Sequence, residues 1–414
     1  MGEIVKNKFV FILLILIGSM PLLDVIYPAK LEGVSRTVPV IIKLLLVIFL
    51  LKYFIEHQKK WWFSNSIGKV ITVFILIHLA YLLVSSHDYI KDLYKFSKVL
   101  VWYYGFFFFM DLGYRNYLSP KSINNFFTVV IVLIFILVFF GVTNEGLFKS
   151  NRDYGASNFA YYLLFVLPFI FMSKKVPYRL AIFAIASVGV AISFKRGTML
   201  MYVIMIIYLF FFSNLKEIAG KRFSKYFRVF IIAVIALVLY QVVFTNLDNY
   251  THKFRDISEY DGTNINSLGS GRGLLYTIPL DRWLNSNFFN FLFGYGFNST
   301  PSSYVLSGIF KKGFYAHSDV VMLIHDYGLV GLSILLSLFM RLFRLAKKSM
   351  LEINKTPLIL IFIALFIKSL FSGFINYEYS IYAFGILGLI MGRTRRAYIE
   401  DKFYEQQQLN DKNI

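Results

Sequence analysis

FFTVVIVLIFILVFFGV, residues 126–142, contains no charged side chain and a single hydroxyl group. A helix of about 20 consecutive apolar residues crosses a hydrocarbon core about 30 Å thick. Because such a helix satisfies all its backbone hydrogen bonds internally, it is the form that an isolated apolar run takes in lipid. The stretch therefore predicts a membrane-spanning helix.

The composition extends this prediction to the whole chain of 414 residues. Hydrophobic residues make up 57% of it and charged residues only 16%, whereas soluble domains carry about 25% charged residues. The apolar runs predict an all-α, polytopic transmembrane helical bundle of about twelve helices within one membrane domain, residues 1–414. The runs are Phe9–Tyr27, Val38–Ile55, Ile67–Val84, Phe96–Leu112, Phe126–Val142, Phe159–Met172, Ala181–Ser193, Thr198–Phe212, Val229–Phe244, Val320–Leu342, Leu358–Leu370 and Ile381–Met391.

The residue types also exclude several classes of protein. Cysteine is absent, so disulfides, thiol nucleophiles and thiolate metal sites are excluded. The first run follows Lys6 and Lys8 but lacks a small-residue cleavage site, so we interpret it as a first helix rather than a cleaved signal peptide. The formal net charge of +20 is dispersed between apolar runs, which indicates membrane topology rather than a nucleic-acid partner.

Lysine and arginine positions predict the orientation. If the N-terminus lies inside, basic residues are concentrated in the inside segments and sparse in the short outside loops, as the positive-inside rule requires. Both termini are then cytoplasmic, and residues 245–315 form one large extracytoplasmic loop between the ninth and tenth runs. Loops of this length are uncommon unless they are functional or disordered. Trp283 and the aromatic residues near it predict an ordered helix at the membrane surface within LLYTIPLDRWLNSNFF, residues 274–289.

Two cationic features lie on the predicted outer side. SFKRGT, residues 193–198, places Lys195 and Arg196 in a turn that suits an anion; snorkelling side chains, or a turn on the inner side, are the alternatives. NSLGSGRGLLY, residues 266–276, flanks Arg272 with glycines, whose N–H groups can form a nest for phosphate oxygens. A flexible loop with a chance arginine is the alternative there. Without a preceding strand and a Lys-Ser/Thr pair, a nucleotide P-loop is excluded.

AHSDVVMLIHDYGLVGL, residues 316–332, places His317 and His325 where the large loop enters the tenth run. Positions eight apart differ by about 80° around a helix, and no HExxH motif is present, so we expect no metal site. A histidine at an aqueous mouth suits general base catalysis, and a histidine that caps or hydrogen-bonds the helix start is the alternative. The acidic side chains of Asp256, Glu259 and Asp261 suggest a solvated loop surface more than a divalent-cation site.

The order of these motifs resembles a known family. An outer turn with SxxRG is followed by a long loop with GSGR, then by LFGYGFN, and then by AHS leading into GLVGL. This arrangement resembles the bacterial O-antigen polymerase (Wzy) and O-antigen ligase (WaaL) superfamily. The motifs cover residues 193–332, and the helix count and loop placement extend the resemblance to the whole chain. The family often has Asn after the histidine, where this chain has Ser318.

The resemblance implies a GT-C-like glycosyltransferase that needs no metal or other cofactor. Its substrate would be an oligosaccharide linked to undecaprenyl pyrophosphate, at the outer face of the bacterial cytoplasmic (inner) membrane. Arg196 and Arg272, supported by Lys195, would bind the pyrophosphate, and His317 would be the base that deprotonates the acceptor hydroxyl. The second-tier candidates are Arg282, Tyr315, Asp319 and His325.

Polymerase and ligase share this donor and differ in the acceptor. A polymerase joins one lipid-linked repeat unit to another, whereas a ligase passes the glycan to the lipid A–core of lipopolysaccharide. Polymerases of this type diverge widely in sequence and are often as aromatic and as rich in Lys and Ile as this chain, so we favour a polymerase. Such polymerases usually have a chain-length regulator as a partner, about which this sequence carries no signal. A transporter of lipid-linked saccharides is the alternative from another class, but it predicts charged pairs near the bilayer midplane.

Overall fold

The chain folds as a bundle of α-helices. The computed structural model describes residues 2–26, 34–85, 89–117, 119–144, 154–172, 178–193, 196–244, 268–307, 316–349 and 352–412. Within these ranges there are helices and no β-strand, so the predicted all-α class is confirmed.

Each of the twelve predicted runs falls on a helix. In chain order the helices are α1 (Gly2–Ile26), α2 (Val34–His57), α3 (Lys60–Ser64), α4 (Ser66–Ser85), α5 (Tyr89–Arg115), α6 (Pro120–Asn144), α7 (Tyr154–Val166), α8 (Arg179–Ile192), α9 (Arg196–Ile207), α10 (Leu215–Phe244), α11 (Leu268–Leu284), α12 (Phe288–Phe293), α13 (Thr300–Leu306), α14 (Asp319–Lys348), α15 (Glu352–Phe371) and α16 (Ser380–Lys412). A 3-10 segment continues α7, because Pro168 has no N–H group for the α-helical ladder. A π-helical segment continues α9.

Several of these helices suit a membrane. The helices or parts of helices that are long and apolar enough to cross one are Ser66–Ser85, Lys121–Phe139, Asp319–Lys348 and Asn354–Phe371. Shorter apolar segments are Lys8–Leu23, Phe159–Phe171, Arg179–Ile192 and Gly197–Phe212. We therefore treat the chain as a multi-pass membrane protein, whereas the count of twelve spans and their orientation stay predictions.

The helices extend beyond the apolar runs that predicted them. α5 begins at Tyr89 rather than at Phe96, and α10 begins at Leu215 rather than at Val229. Polar residues prolong both helices, and the polar first part of α10 is kinked at Gly220, where φ is 87° and ψ is 163°. Hydropathy thus located the core of each helix and not its ends.

The close pairing of α5 with α16 forms the centre of the bundle. A Cβ atom on Gly388 or Gly392 of α16 would overlap the backbone carbonyl oxygens of Phe106 and Met110 in α5. Small residues permit this approach of two helix backbones, which dispersion forces and not water exclusion stabilise in lipid. The pairing fixes the start of α16 beside α5 at one end of the bundle.

α14 is broken at Gly328. The backbone there has φ 63° and ψ −151°, a region that side chains other than glycine rarely adopt. A Cβ atom at this position would also overlap the backbone of Leu292 and Gly294. Both the dihedral angles and the close approach therefore require glycine.

The break leaves two carbonyl groups of α14 without their usual helical donors. Tyr295 N–H donates to the His325 carbonyl and Gly296 N–H donates to the Asp326 carbonyl, each at 3.0 Å. The LFGYGFN sequence thus replaces the missing turn of the helix. We call this contact between residues 292–296 and 325–328 the α14 joint.

The described part of the predicted large loop is helical. Residues 268–307 form α11, α12 and α13, which confirms a helix in LLYTIPLDRWLNSNFF. Trp283 is 8% exposed, stacks on Phe291 at 4.6 Å and donates to its carbonyl oxygen at 2.9 Å, so it packs inside the loop region rather than at an open surface. Residues 245–267 and 308–315, which include Asp256, Glu259, Asp261 and Tyr315, lie outside the described residues.

Candidate functional site

The motifs meet at the end of the bundle where α4 ends and α5 begins, which we call the site end. The starts of α7, α9, α14 and α16 and the end of α15 lie there too, joined by the contacts given below. Consecutive long helices run in opposite directions. The loops that the sequence predicts to be extracytoplasmic therefore lie at this end.

His317 is the exposed residue of an otherwise buried turn. Its neighbours Ala316 and Ser318 are 1% and 2% exposed, whereas the His317 side chain is exposed. Ser318 is the residue that caps α14, since its Oγ accepts a hydrogen bond from Val321 N–H at 3.3 Å and donates to the Ser369 carbonyl at 3.1 Å. Ser318 and not His317 therefore caps α14, and the His317 side chain is exposed.

The backbone at His317 is held in the left-handed region, with φ 52°. This conformation costs a non-glycine residue about 1 to 2 kcal/mol, which the buried contacts of the flanking residues must offset. Asp319 supplies one of them: it is 0% exposed, and its Oδ2 accepts a hydrogen bond from Phe374 N–H at 2.6 Å. Asp319, a second-tier candidate, thus lies behind His317 and ties α14 to the turn between α15 and α16.

Lys368, in the last turn of α15, places its ammonium group among tyrosine rings. Nζ lies 3.1 Å from the ring centre of Tyr161 and 5.4 and 5.3 Å from those of Tyr377 and Tyr379. It also donates to Ser372 Oγ at 2.8 Å, and the residue is 1% exposed. Because desolvated cation–π contacts are worth about 2 kcal/mol or more, the cage stabilises a buried positive charge.

Arg196 is the first residue of α9, and a contact of the next residue places it near this cage. A Cβ atom on Gly197 would lie 2.6 Å from the Tyr161 hydroxyl, so the start of α9 packs directly on Tyr161. The ring of the same tyrosine contacts Lys368 Nζ. The side chain of Arg196, and the whole of Lys195, lie outside the described residues.

Arg272 lies in α11, one helical turn before Tyr276. The Tyr276 hydroxyl oxygen lies 3.4 Å from the His317 carbonyl oxygen and 3.3 Å from the Leu370 carbonyl oxygen, either of which can accept its one proton. α11 therefore lies beside the His317 turn. The glycines around Arg272 lie in the first turns of α11 rather than in a loop; the Arg272 side chain is outside the described part of the structure.

A buried ion pair holds the turn between α15 and α16. Glu378 Oε1 lies 3.0 Å from Lys43 Nζ and 3.6 Å from Lys98 Nζ. Burial alone raises the pKa of the Glu378 carboxyl group, but the attraction of Lys98 and Lys43 outweighs it and lowers the pKa to about 2. Trp102 Nε1 donates to the Ile375 carbonyl in the same turn at 2.8 Å. The turn behind His317 is thus fixed by charge and by hydrogen bonds.

The other second-tier candidates, His325 and Arg282, lie at the α14 joint. The His325 ring stacks on Tyr295 at 4.8 Å, and Arg282 Cζ lies 4.2 Å from the centre of the same ring. His325 is 0% exposed, and its Nδ1 is 3.1 Å from Ser299 Oγ. The structure therefore places His325 inside the protein, separately from the exposed His317.

Asp326 strengthens the joint from the next position. Its Oδ1 accepts hydrogen bonds from Ser299 Oγ at 2.9 Å, Thr300 N–H at 2.7 Å and Thr300 Oγ1 at 2.6 Å. The neighbouring Asn298 donates to Asp92 Oδ1 in α5 at 2.7 Å. The loop before α13 is thereby attached both to α14 and to the start of α5.

Sequence reasoning missed three of these groups, namely Lys43, Lys368 and Glu378. The two lysines carried a usable signal, because each interrupts or ends an apolar run, and an ionisable residue within a membrane span is by default a functional hypothesis. Glu378 gave no comparable signal, since it lies in a short turn whose burial only the folded structure reveals. Among the described residues no group of three or more His, Asp or Glu side chains is arranged to hold a metal ion.

Residues 181–336 match a family model described as O-antigen ligase. The matched segment begins in α8 and ends in α14, so it contains the turn with Arg196, the helix with Arg272, and the His317 turn. The match confirms the resemblance to the O-antigen polymerase and ligase superfamily. No curated protein matches the chain.

Proposed function

We propose that the chain is a polysaccharide polymerase that joins undecaprenyl-pyrophosphate-linked oligosaccharide repeat units at the outer face of the bacterial cytoplasmic membrane. The observation that carries the proposal is the exposed His317 on a buried, hydrogen-bonded turn, next to which α11 packs through Tyr276. The family match supports the proposal, because it spans all three elements that carry the predicted site residues.

In the proposed reaction His317 accepts the proton of an acceptor sugar hydroxyl. The hydroxyl oxygen then bonds to the anomeric carbon of the donor, and the bond between that carbon and the pyrophosphate oxygen breaks. Arg196 and Arg272, supported by Lys195, stabilise the charge that develops on the departing undecaprenyl pyrophosphate, because fixed guanidinium groups match phosphate oxygens. One base and one cationic clamp give inversion at the anomeric carbon without a covalent intermediate.

Lys368 positions the part of this clamp that Arg196 supplies. Its buried charge contacts Tyr161, on which the start of α9 rests, so it holds the backbone that carries Arg196. The same charge adds to the positive potential of the site end, where a polyanionic donor must bind. Lys43 and Lys98 add less, because Glu378 neutralises part of their charge.

A ligase is the second candidate, and the description of the matched family model favours it. Donor, base and clamp would be the same, and the acceptor would be the lipid A–core. The glycan profile of a deletion strain separates the two. Loss of a polymerase leaves single repeat units on lipid A–core, whereas loss of a ligase leaves long polymer on the undecaprenyl carrier. An unchanged profile in the deletion strain would contradict both functions.

Metal independence is tested by chelation. We expect glycan extension by membranes containing the protein to continue when EDTA is added, because the cationic side chains replace a metal in charge stabilisation. Loss of activity with EDTA, restored by a divalent cation, would instead assign Asp256, Glu259 and Asp261 to metal binding.

A chain-length regulator that acts as a partner would change the distribution of product lengths and not the rate of each transfer.

Thiol labelling tests on which side of the membrane the site end lies. The chain has no cysteine of its own, so an introduced cysteine is the one thiol that can react. Ser307→Cys places one thiol at the exposed end of α13, near the site end, and Lys348→Cys places one at the opposite end of α14. In intact cells a membrane-impermeant maleimide should label only the first variant. Labelling of only the second would place the site end in the cytoplasm and contradict the proposed substrate.

A further inference from the structure

A groove of about 540 Å³ runs between α4 and the second part of α14. It lies toward the end of the bundle opposite to the site end, and its volume is in the range of ordinary ligand sites. Its walls consist of Lys69, Val70, Val73 and Ile77 of α4, Leu329, Val330, Ser333, Ile334, Ser337 and Arg341 of α14, and Leu292 of α12.

Two rows of side chains with helical spacing form the groove. On α4 the row is Lys69, Val73 and Ile77, and on α14 it is 329, 333, 337 and 341, each four residues apart, so each row follows one face of its helix. Ser333 and Ser337 occupy the middle of the second row, where the surrounding sequence is otherwise rich in leucine. These small side chains leave the space between the helices open.

The charge on the groove is asymmetric. Lys69 and Arg341 lie at one end of the two rows, and the rest of the lining is apolar apart from the serines. No acidic residue contributes to the walls, and in the part of the chain that the structure describes neither cation forms an ion pair. The groove therefore offers two unneutralised positive charges above an apolar channel.

The length of the groove matches one leaflet of a bilayer. From Leu329 to Arg341 a helix rises about 18 Å, and half of a hydrocarbon core measures about 15 Å. Arg341 is near the end of the tenth apolar run, so the cations lie at the level of lipid headgroups and the channel ends near the middle of the membrane. Leu292 of the α14 joint lines that inner end.

We propose that this groove binds one anionic phospholipid of the leaflet at that end. The phosphate lies between Lys69 and Arg341, and one acyl chain fills the channel along Ser333 and Ser337. Cations that merely reach the headgroup region attract anionic lipids weakly and without a defined site. The combination with a channel of leaflet length is what makes the site specific, and it is independent of the proposed glycosyltransferase activity.

Native mass spectrometry of the full chain in a neutral detergent tests the proposal. The probes are phosphatidylglycerol and phosphatidylcholine with identical acyl chains, together with soluble glycerol phosphate. We expect one phosphatidylglycerol to bind at least about tenfold more tightly than phosphatidylcholine, since each of two basic groups favours the anion. Lys69→Gln combined with Arg341→Gln should remove this preference. Ser337→Leu should lower the affinity for both lipids, because the leucine side chain fills the channel.

Arg344→Gln combined with Lys347→Gln is the matched control, because both residues are exposed at the same end of α14 and neither lines the groove. Equal binding of the two lipids, or equal losses in the double variant and the control, would overturn the proposal. So would glycerol phosphate that binds as tightly as the whole lipid. Displacement of phosphatidylglycerol by equimolar undecaprenyl phosphate would also overturn it, because the channel would then belong to a polyprenyl chain.

Discussion

His317 and His325 lie eight residues apart at the start of the same helix, yet their surroundings differ completely. His317 is exposed on a turn whose neighbouring residues are buried. His325 is 0% exposed, stacks on Tyr295 and belongs to the joint that repairs the break at Gly328. One imidazole is therefore accessible to a substrate, and the other is a component of the protein interior.

The difference shows that residue type and motif membership do not determine a role. Both histidines lie in the same family-like stretch, and both suit acid–base chemistry by type. What separates them is the backbone, which reverses at His317 with a positive φ and closes on the loop 292–296 at His325. Accessibility follows from that path, and for this reason our proposal gives the role of base to His317.

Substituting the two histidines gives the largest expected contrast. His317→Ala should lower glycan extension about 10²- to 10⁴-fold, the usual contribution of a general base, while the amount of folded protein in the membrane stays unchanged. His325→Ala should lower the free energy of unfolding by about 2 to 3 kcal/mol, because it leaves a cavity and removes both the stacking on Tyr295 and the contact with Ser299 Oγ. The activity per folded molecule should then stay close to that of the wild type.

The measurements are the rate of extension in membranes and the folded fraction by size-exclusion chromatography. Full activity of His317→Ala would remove the base from the mechanism. A well-folded but inactive His325→Ala would reverse the assignment and make His325 the catalytic group. Arg272→Ala, measured in parallel, should resemble His317→Ala if α11 supplies part of the clamp.

Gly328→Ala should break the joint by itself. The positive φ costs alanine about 1 to 2 kcal/mol, and overlap with the backbone of Leu292 and Gly294 adds to it, so we expect a loss of more than about 3 kcal/mol in the free energy of unfolding. Gly220→Ala is the matched control, since φ there is also positive, at 87°, but no atom lies within 4 Å of the added Cβ. Equal losses in the two variants, measured by thermal unfolding in detergent, would show that the close approach contributes nothing.

The contrast between the two histidines marks how far the sequence could predict this molecule. The helices of the bundle followed from runs of apolar residues, because the physics that creates them is local. The path of the chain at Gly328 did not, since φ > 0 at one glycine and the docking of residues 292–296 depend on partners distant in sequence. The GYG sequence resembles a family motif, and only the structure explains it as the backbone that completes α14.

The same limit applies to the candidate site. Arg196, Arg272 and His317 were proposed from residue type and order, whereas the contacts of Tyr161 and Tyr276 that connect their helices required the fold. The glycines around Arg272 were expected in a loop, whereas α11 begins at Leu268 and continues through them. Glycine tolerates a helix at a cost of only about 1 kcal/mol each, which tertiary contacts readily offset.

Acid should lower the free energy of unfolding, because protonation of Glu378 breaks the ion pair that holds the turn behind His317. The pKa of Glu378 is lowered from 4.5 to about 2 in the folded protein, so its ion pair contributes stability above pH 4.5 that is lost as the pH falls toward 2. The expected loss is on the order of 2 to 3 kcal/mol, measured by thermal unfolding across this range. Glu378→Gln should be less stable at neutral pH and should lose this part of the acid dependence.

Glu56→Gln provides the control for the acid experiment, because Glu56 pairs with Lys52 at 4.0 Å while 49% of its side chain is exposed. Exposed pairs contribute little, so the acid profile of this variant should match that of the wild type. If Glu378→Gln keeps the full acid dependence, the buried pair does not hold the turn behind His317, and another carboxyl group must be responsible.

The smallest expected effect concerns the residue after His317, where the family often has Asn and this chain has Ser318. Because Ser318 caps α14 through Val321 N–H, and Ser and Asn are about equally good N-cap residues, Ser318→Asn should change the free energy of unfolding by less than about 0.5 kcal/mol. Ser318→Ala should cost about 1 kcal/mol. Thermal unfolding of the three proteins decides the matter: if Asn destabilises as much as Ala, the family's preference reflects contact with the substrate and not the start of the helix.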